Sequence, residues 1–165
     1  MLVQRPENEI KMKIITALFF SVATFSSIVF AHGDKHQNEA LFKGLDSPAA
    51  KVVVAFHEAL KSGDKQQAQD LLADDVTIFE GGGVERSALE YAQHHMLADM
   101  AYLNAVDSQT LEHQVEVVGT TAISISRSHT KGVYKGKERD YESMETMILE
   151  LQKGSWKIIH IHWSN

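Results

Sequence analysis

Alternation governs the second half of this chain. From Leu111 onward apolar residues, with one histidine among them, recur at every second position: Leu111, His113, Val115 and Val117 in one run, Ile123 and Ile125 in the next, then Met147, Leu149 and Leu151. Successive side chains of a strand leave opposite faces of a sheet, so a period of two predicts strands with one face on a core. Gly119-Thr120 and Gly154 supply tight turns, and Trp156 to Trp163 reads as the closing strand. Lys131 to Arg139, two glycines among basic residues, reads as a long exposed hairpin tip. Ile123, Ile125, Arg127 and His129 share one side of their strand, expected to be the inner side. Ser143 and Glu145 share the face of Met147 and Leu149. On the last strand Ile159, Ile161 and Trp163 share one face, His160 and His162 the other.

The first half changes period. Val52, Val53, Phe56, Ala59 and Leu60 recur at spacings of three and four, Ser47-Pro48 supplies an N-cap with proline at the first helical position, and Gly63 ends the pattern. Asp64 caps a second short helix through Ala68, Leu71 and Leu72. After Asp74-Asp75, Val76 to Glu80 alternates as a short strand, and Gly81 to Gly83 is a turn. A third helix is expected from Ser87, burying Leu89, Ala92, Met96 and Met100, with Glu90 placed for a capping box. Early helices followed by meandering strands predict an α+β domain over 48–165, its helices on one face of an antiparallel sheet.

Lys11 and Lys13 precede an uncharged run from Ile14 to Ala31 that ends Val29-Phe30-Ala31. A basic start, an apolar middle and a small terminal residue make residues 1–31 a secretory signal peptide. The run borders on the length of a membrane span, yet polar His32 to Glu39 follows at once without a basic stop-transfer cluster. Cleavage after Ala31 and a periplasmic or secreted location are expected; Met12 is an alternative start. Residues 32–47 read as a flexible leader, and His32 as a solvated terminus. The chain carries a net charge of −6, and losing Arg5, Lys11 and Lys13 against Glu7 and Glu9 makes it more negative. No basic stripe exists to displace phosphate counterions, which excludes nucleic acid as a partner. With no cysteine, neither disulfides nor thiol chemistry can contribute.

Ala59-Leu60-Lys61-Ser62-Gly63-Asp64, the strand Val76 to Glu80 and the closing run Gly154 to Ser164 resemble the nuclear transport factor 2-like superfamily, its SnoaL-like branch in particular. The last run is also similar to the association domain of calcium/calmodulin-dependent kinase II. The resemblance covers roughly Pro48 to Asn165. It implies a cystatin-like cone, in which a strongly curved antiparallel or mixed sheet wraps around three N-terminal helices, with a cavity open at one end. It also implies dimerisation through the outer sheet face. Members include ketosteroid isomerases, cyclases, dehydratases and assembly domains, so the fold does not name a chemistry.

Arg127 and His129 continue the supposed inward parity toward the cone's opening, and Glu145 on the next strand is a partner for that arginine. The association domain has a pocket arginine at the position resembling Arg127; its second arginine corresponds to Met147 here. On the third helix, Tyr91 and His95 lie four apart on one stripe. Glu80 is a candidate general base, since an apolar surrounding raises a carboxylate's pKa, and His95 and Glu145 are alternatives for that role. Candidate ligand contacts are therefore Tyr91, His95, Arg127, His129, Glu145, His160 and Trp163. His160 and His162 have the spacing of two metal ligands but no third nearby, so neither a metal nor a cofactor is expected. Gly81 to Gly83 lacks the lysine and spacing of a phosphate loop. The leading expectation is an exported homodimer binding a small polar organic molecule, carboxylate-bearing ligands included. An isomerase, cyclase or dehydratase using acid–base chemistry, and a homo-oligomeric assembly domain, are the alternatives.

Overall fold

Strand β1, Phe42–Lys43, is the first strand of a computed structural model that describes residues 40–165. The expected signal peptide, and the leader as far as residue 39, lie outside the described residues. From Ala40 onward the leader expectation does not match the geometry, because Phe42 and Lys43 pair in parallel with His113 and Gln114. Gly44 makes this approach feasible: it has φ +70°, and a Cβ there would overlap the Val115 carbonyl oxygen.

Helix α1, Pro48–Ser62, starts where Ser47 accepts from the Ala50 amide, and it buries Ala49, Ala50, Val53, Phe56, Ala59 and Leu60. Gly63, at φ +78°, ends it in the left-handed conformation, with Asp64 N–H returning to the Ala59 carbonyl. Asp64 then caps α2, Lys65–Leu71, which leads into β2, Leu72–Glu80, and the short β3, Gly83–Glu85.

The single third helix expected from Ser87 is two helices, α3, Ala88–Gln93, and α4, Met96–Ala105. At His94 the backbone leaves the helical course, and the His95 carbonyl accepts from Ala98 and Asp99 to start a new helix. Leu89, expected to be buried, lies on the outward side of α3 and is exposed, while Tyr91, Ala92, Met96 and Met100 reach the core. The Tyr91 hydroxyl donates to Asp99 across the break at 2.8 Å.

Four long strands complete the domain: β4, Val106–Val118; β5, Thr121–Tyr134; β6, Lys137–Gln152; and β7, Ser155–Ser164. The seven strands form one mixed sheet in the order β1-β4-β5-β6-β7-β2-β3, parallel only at β1–β4 and β2–β7. The architecture is α+β. Helix α1 packs on α4 and on β4, β5 and β7, burying Phe56 and Leu60 with Met147, Leu149, Ile158 and Ile161.

Two local features set which side chains face inward. On β5 the register sets Ala122 beside Leu149 and Ser124 beside Met147, and both small residues are fully buried. Ile123 and Ile125 are 45% and 44% exposed on the outer face, so the expected inner side of this strand is its outer side. Bulk on the inner face comes from β6, β7 and α1, which leaves β5 only small side chains to contribute. On β7 the register shifts by one residue, with Ile158 opposite Leu149 and His160 opposite Ile148. Ile159 is therefore the extra residue of a bulge, and Ile158, rather than Ile159, joins Ile161 in the core.

This parity gives opposite effects for neighbouring substitutions in urea unfolding. Ser124→Ile overfills a closed site and is expected to cost about 1–3 kcal/mol, whereas Ile125→Ser should stay within about 1 kcal/mol of the parent. The reverse ranking would contradict the assigned faces.

Candidate functional site

Between the inner face of the sheet and helices α1 and α4 lies a hollow of about 920 Å³. It exists because the inward positions next to it carry small polar side chains: Ser126, Ser128 and Thr130 on β5, Ser108 and Thr110 on β4, Ser143 on β6. A bulge at Leu111 keeps both Thr110 and His113 on this face. Tyr102 and Leu103 of α4, His57 of α1, and Trp163 of β7 close the remaining sides.

At the floor stands Glu145, 8% exposed. Its carboxylate accepts from His57 Nε2 at 3.0–3.1 Å, from the Trp163 indole N–H at 2.7 Å and from the Ser126 hydroxyl at 3.4 Å. Burial pushes the Glu145 pKa up, but the His57 charge and the hydrogen bonds from His57 and Trp163 outweigh it and hold the group below the usual carboxylate range. Burial likewise acts to lower His57, and the adjacent carboxylate overcomes it, so the imidazole lies above its ordinary value. The two form an ion pair, with the His57 side chain 43% exposed above Glu145. His113 stands on the same floor, its Nε2 2.9 Å from the Ser124 hydroxyl, and burial depresses its pKa.

A second titratable group lines the wall by the glycine turn. Glu80 and Asp99 both reach the hollow. Burial first, then the Asp99 carboxylate, pushes Glu80 up to about 7. Burial raises Asp99 too, opposed by the hydrogen bond it accepts from Tyr91.

The expected site residues divide between two faces. Glu80, Glu145 and Trp163 line the hollow. Tyr91 is fully buried behind its wall, bonded to Asp99. His95 lies at the helix break with its Nδ1 bonded to Glu85, and it feels the same Asp99 and Glu80 carboxylates that act on Tyr91. Arg127 and His129, expected inside, lie on the outer face by the β5 parity. Arg127 pairs with Glu142 at 2.7 Å rather than with Glu145, and His129 with Asp140 at 2.7 Å. His160 is bonded to the Thr77 hydroxyl at 2.8 Å beside the Phe79 ring, and His162 lies exposed at the rim. Among the described residues no group of three potential ligands brings these histidines together around a metal.

Sequence reasoning passed over His57, His113, Asp99 and the hydroxyl wall. The signal for His57 was present, since it lies four after Val53 and three before Leu60, on the buried stripe of α1. The hydroxyls carried a weaker one, as serine at every second position of a strand is invisible to a search for apolar alternation.

The floor makes stability depend on pH from both sides. Glu145 is held below its ordinary 4.5, so its contribution is present above that pH and is lost as pH falls through the lowered value. His57 is held above its ordinary 6.5, so its contribution is complete below that pH and is lost as pH rises through the raised value. The stability difference between the parent and Glu145→Gln, read from urea midpoints, is therefore expected to be largest between 4.5 and 6.5. In the variant the His57 pKa, followed by NMR, should fall; a pH-independent difference with an unmoved His57 would refute the pair.

A family model described as a SnoaL-like domain matches residues 50–165. The crystal structure of a putative ketosteroid isomerase from Shewanella frigidimarina is 52% identical, covering 74% of this chain and 99% of that chain, with a TM-score of 0.73. The association domain of calcium/calmodulin-dependent kinase II from C. elegans is 19% identical, covering 79% and 97%, with a TM-score of 0.57. A protein with a cystatin-like fold from Novosphingobium aromaticivorans is 16% identical, covering 68% and 76%, with a TM-score of 0.55. No curated protein matches. The two distant structures share the fold alone, whereas the family model spans nearly the whole described domain and the Shewanella chain shares half its residues over almost its full length; the chain belongs to the SnoaL-like domain family.

Proposed function

We propose that the protein binds a small polar organic molecule in the hollow, as an exported homodimer. The observation that carries this reading is the wall of Ser108, Thr110, Ser126, Ser128, Thr130 and Ser143, whose hydroxyls occupy positions where a solid core would carry apolar bulk. A volume of about 920 Å³ suits a ligand of drug-like size, and convergent polar groups in a partly apolar cleft are the usual form of such sites. Arg127 no longer supports a carboxylate-bearing ligand, since it belongs to the outer face. Export rests on the signal pattern of residues 1–31, and the dimer on exposed Ile123, Ile125 and Met144 on the outer face of the sheet. Native mass spectrometry of the purified periplasmic or secreted protein tests the three together. Expected are a chain starting at His32, a dimer mass and a retained ligand mass that Ser128→Trp abolishes while the fold persists. A chain retaining residues 1–31, a monomer, or a ligand mass unchanged by Ser128→Trp would each remove its part of the proposal.

A second reading, proton-transfer catalysis of the isomerase type, is favoured by one arrangement. His57, oriented by a buried carboxylate, and Glu80, with a pKa of about 7, both border the hollow, and proton transfer is efficient when a group titrates near the working pH. The relative described as a putative ketosteroid isomerase supports the same reading. Isomerisation of a β,γ-unsaturated ketone is the assay. His57→Ala and Glu80→Gln are each expected to lower the rate about 100-fold; Glu80→Gln should do so with little change in melting temperature, whereas His57→Ala, which strips Glu145 of its partner, should also lower the melting temperature. A parent without activity, or variants that keep it, would leave binding alone.

A further inference from the structure

The basic hairpin tip between β5 and β6 has no part in the floor of the hollow or in the acidic wall. Arg139 lies on β6 with the same parity as Tyr141, Ser143 and Glu145, so it shares their inner face. Its cross-strand partner is Gly132, which has no side chain to cover it. Its Nε is buried without a hydrogen-bond partner among the described residues. A guanidinium is all donor, and a buried donor without an acceptor is costly.

The groups around it are phenols and another cation. The Tyr102 and Tyr141 hydroxyls are 2.5 Å apart, and both tyrosines line the hollow. Each hydroxyl carries one proton, and the bond between them uses only one, leaving the other to donate elsewhere. Tyr134 packs edge-on against Tyr102 at 5.1 Å between ring centroids, with the Lys135 ammonium 5.0 Å from the Tyr134 ring. Burial and the Tyr141 hydroxyl raise the Tyr102 pKa, and the charge of Arg139 pulls it back. Asp140 and Glu142, the neighbouring acids, are engaged on the outer face with His129 and Arg127. The hairpin end of the inner face thus holds unspent donors and the Arg139 cation, with exposed Lys135 in the turn beyond.

We infer that Arg139, together with the hydroxyls of Tyr102 and Tyr141, forms an anion-binding subsite at the hairpin end of the hollow. It would take a planar or branched oxyanion such as a carboxylate or sulfonate, with the ligand's body against the serine and threonine wall. A guanidinium fork satisfies two such oxygens at once, and Lys135 adds long-range attraction. This subsite rests on the reading of the hollow as a ligand site, and it restores an acidic ligand class on a different arginine from the one first considered.

Two fluorescent probes separate the claims: N-phenylnaphthylamine, which is neutral, and anilinonaphthalene sulfonate, which is the same ring system carrying a sulfonate. The parent protein is expected to bind both. Arg139→Gln should weaken the sulfonate probe about tenfold, the scale of one lost charged hydrogen bond, and leave the neutral probe unchanged. Arg139→Lys keeps the charge without the fork and should recover part of the loss; Tyr102→Phe should weaken the sulfonate probe alone. Arg127→Gln, which removes the same charge from the outer face, should affect neither. The subsite is overturned if Arg139→Gln and Arg139→Lys retain full sulfonate affinity, or if Arg127→Gln reduces it as much. Neutral-probe binding shows that a variant has folded. A parent that binds neither probe would instead defeat the hollow as a ligand site.

Discussion

A buried carboxylate has to be answered from several directions at once, and Glu145 is answered from three elements besides its own strand. His57 comes from α1, Trp163 from β7 and Ser126 from β5. Each bond is worth little against solvent, but leaving Glu145 unpaired in this setting would cost several kcal/mol. Satisfying it therefore specifies where α1 sits on the sheet and how β5, β6 and β7 align beneath it. The same bonds leave the His57 imidazole half-exposed at the floor of the hollow. The group that helps dock the first helix is thus also available to a bound molecule.

The hollow itself depends on what is missing from β5. Ala122 and Ser124 fit beneath the apolar side chains of α1 and β6, and toward the hairpin Ser126 and Ser128 offer too little volume to meet α4. The large residues of that strand, Ile123 and Ile125, were placed outside instead. A strand with its small side chains inward and its bulky ones outward inverts the usual burial rule. That inversion keeps a space open within a domain otherwise packed with Phe56, Met147, Leu149 and Ile161.

It is also the reason that the fold was more legible than the site. The runs around Val115, Ile123, Met147 and Ile161 show their period without ambiguity, and Ser47, Gly63 and Asp64 mark helix ends by local chemistry that tertiary contacts do not override. The inner face is another matter. Periodicity says that alternate residues differ but not which set is buried, and the isoleucines of β5 pointed the wrong way, taking Arg127 and His129 with them. Single-residue bulges at Leu111 and Ile159 reverse parity within a strand and have no signature in these residues. At His94-His95 the amphipathic stripe continues in sequence while the backbone turns, which split one expected helix into two and bonded His95 to Glu85. Glu145 was placed on the correct face because Met147 and Leu149 share its parity and have no competing apolar set.

The polar groups bordering the hollow are not evenly mixed. Carboxylates gather by the glycine turn, where burial and the Asp99 charge raise Glu80's affinity for a proton, and burial and the Glu85 charge raise that of Asp99. The Tyr102 and Tyr141 hydroxyls border it at the β5–β6 end, with the Arg139 charge felt at Tyr102, while the neutral Ser and Thr wall runs through the interior between the two ends. Such a separation of charge acts along a ligand that spans the two ends. A molecule with one acidic and one donor-rich end would find a single favourable orientation there. Its neutral middle would lie against the hydroxyls, and the His57 imidazole would meet it at one atom rather than at random. Orientation of this kind is what proton transfer requires beyond a suitable pKa, so the polarity that would select a ligand would also decide whether His57 and Glu80 can act on it.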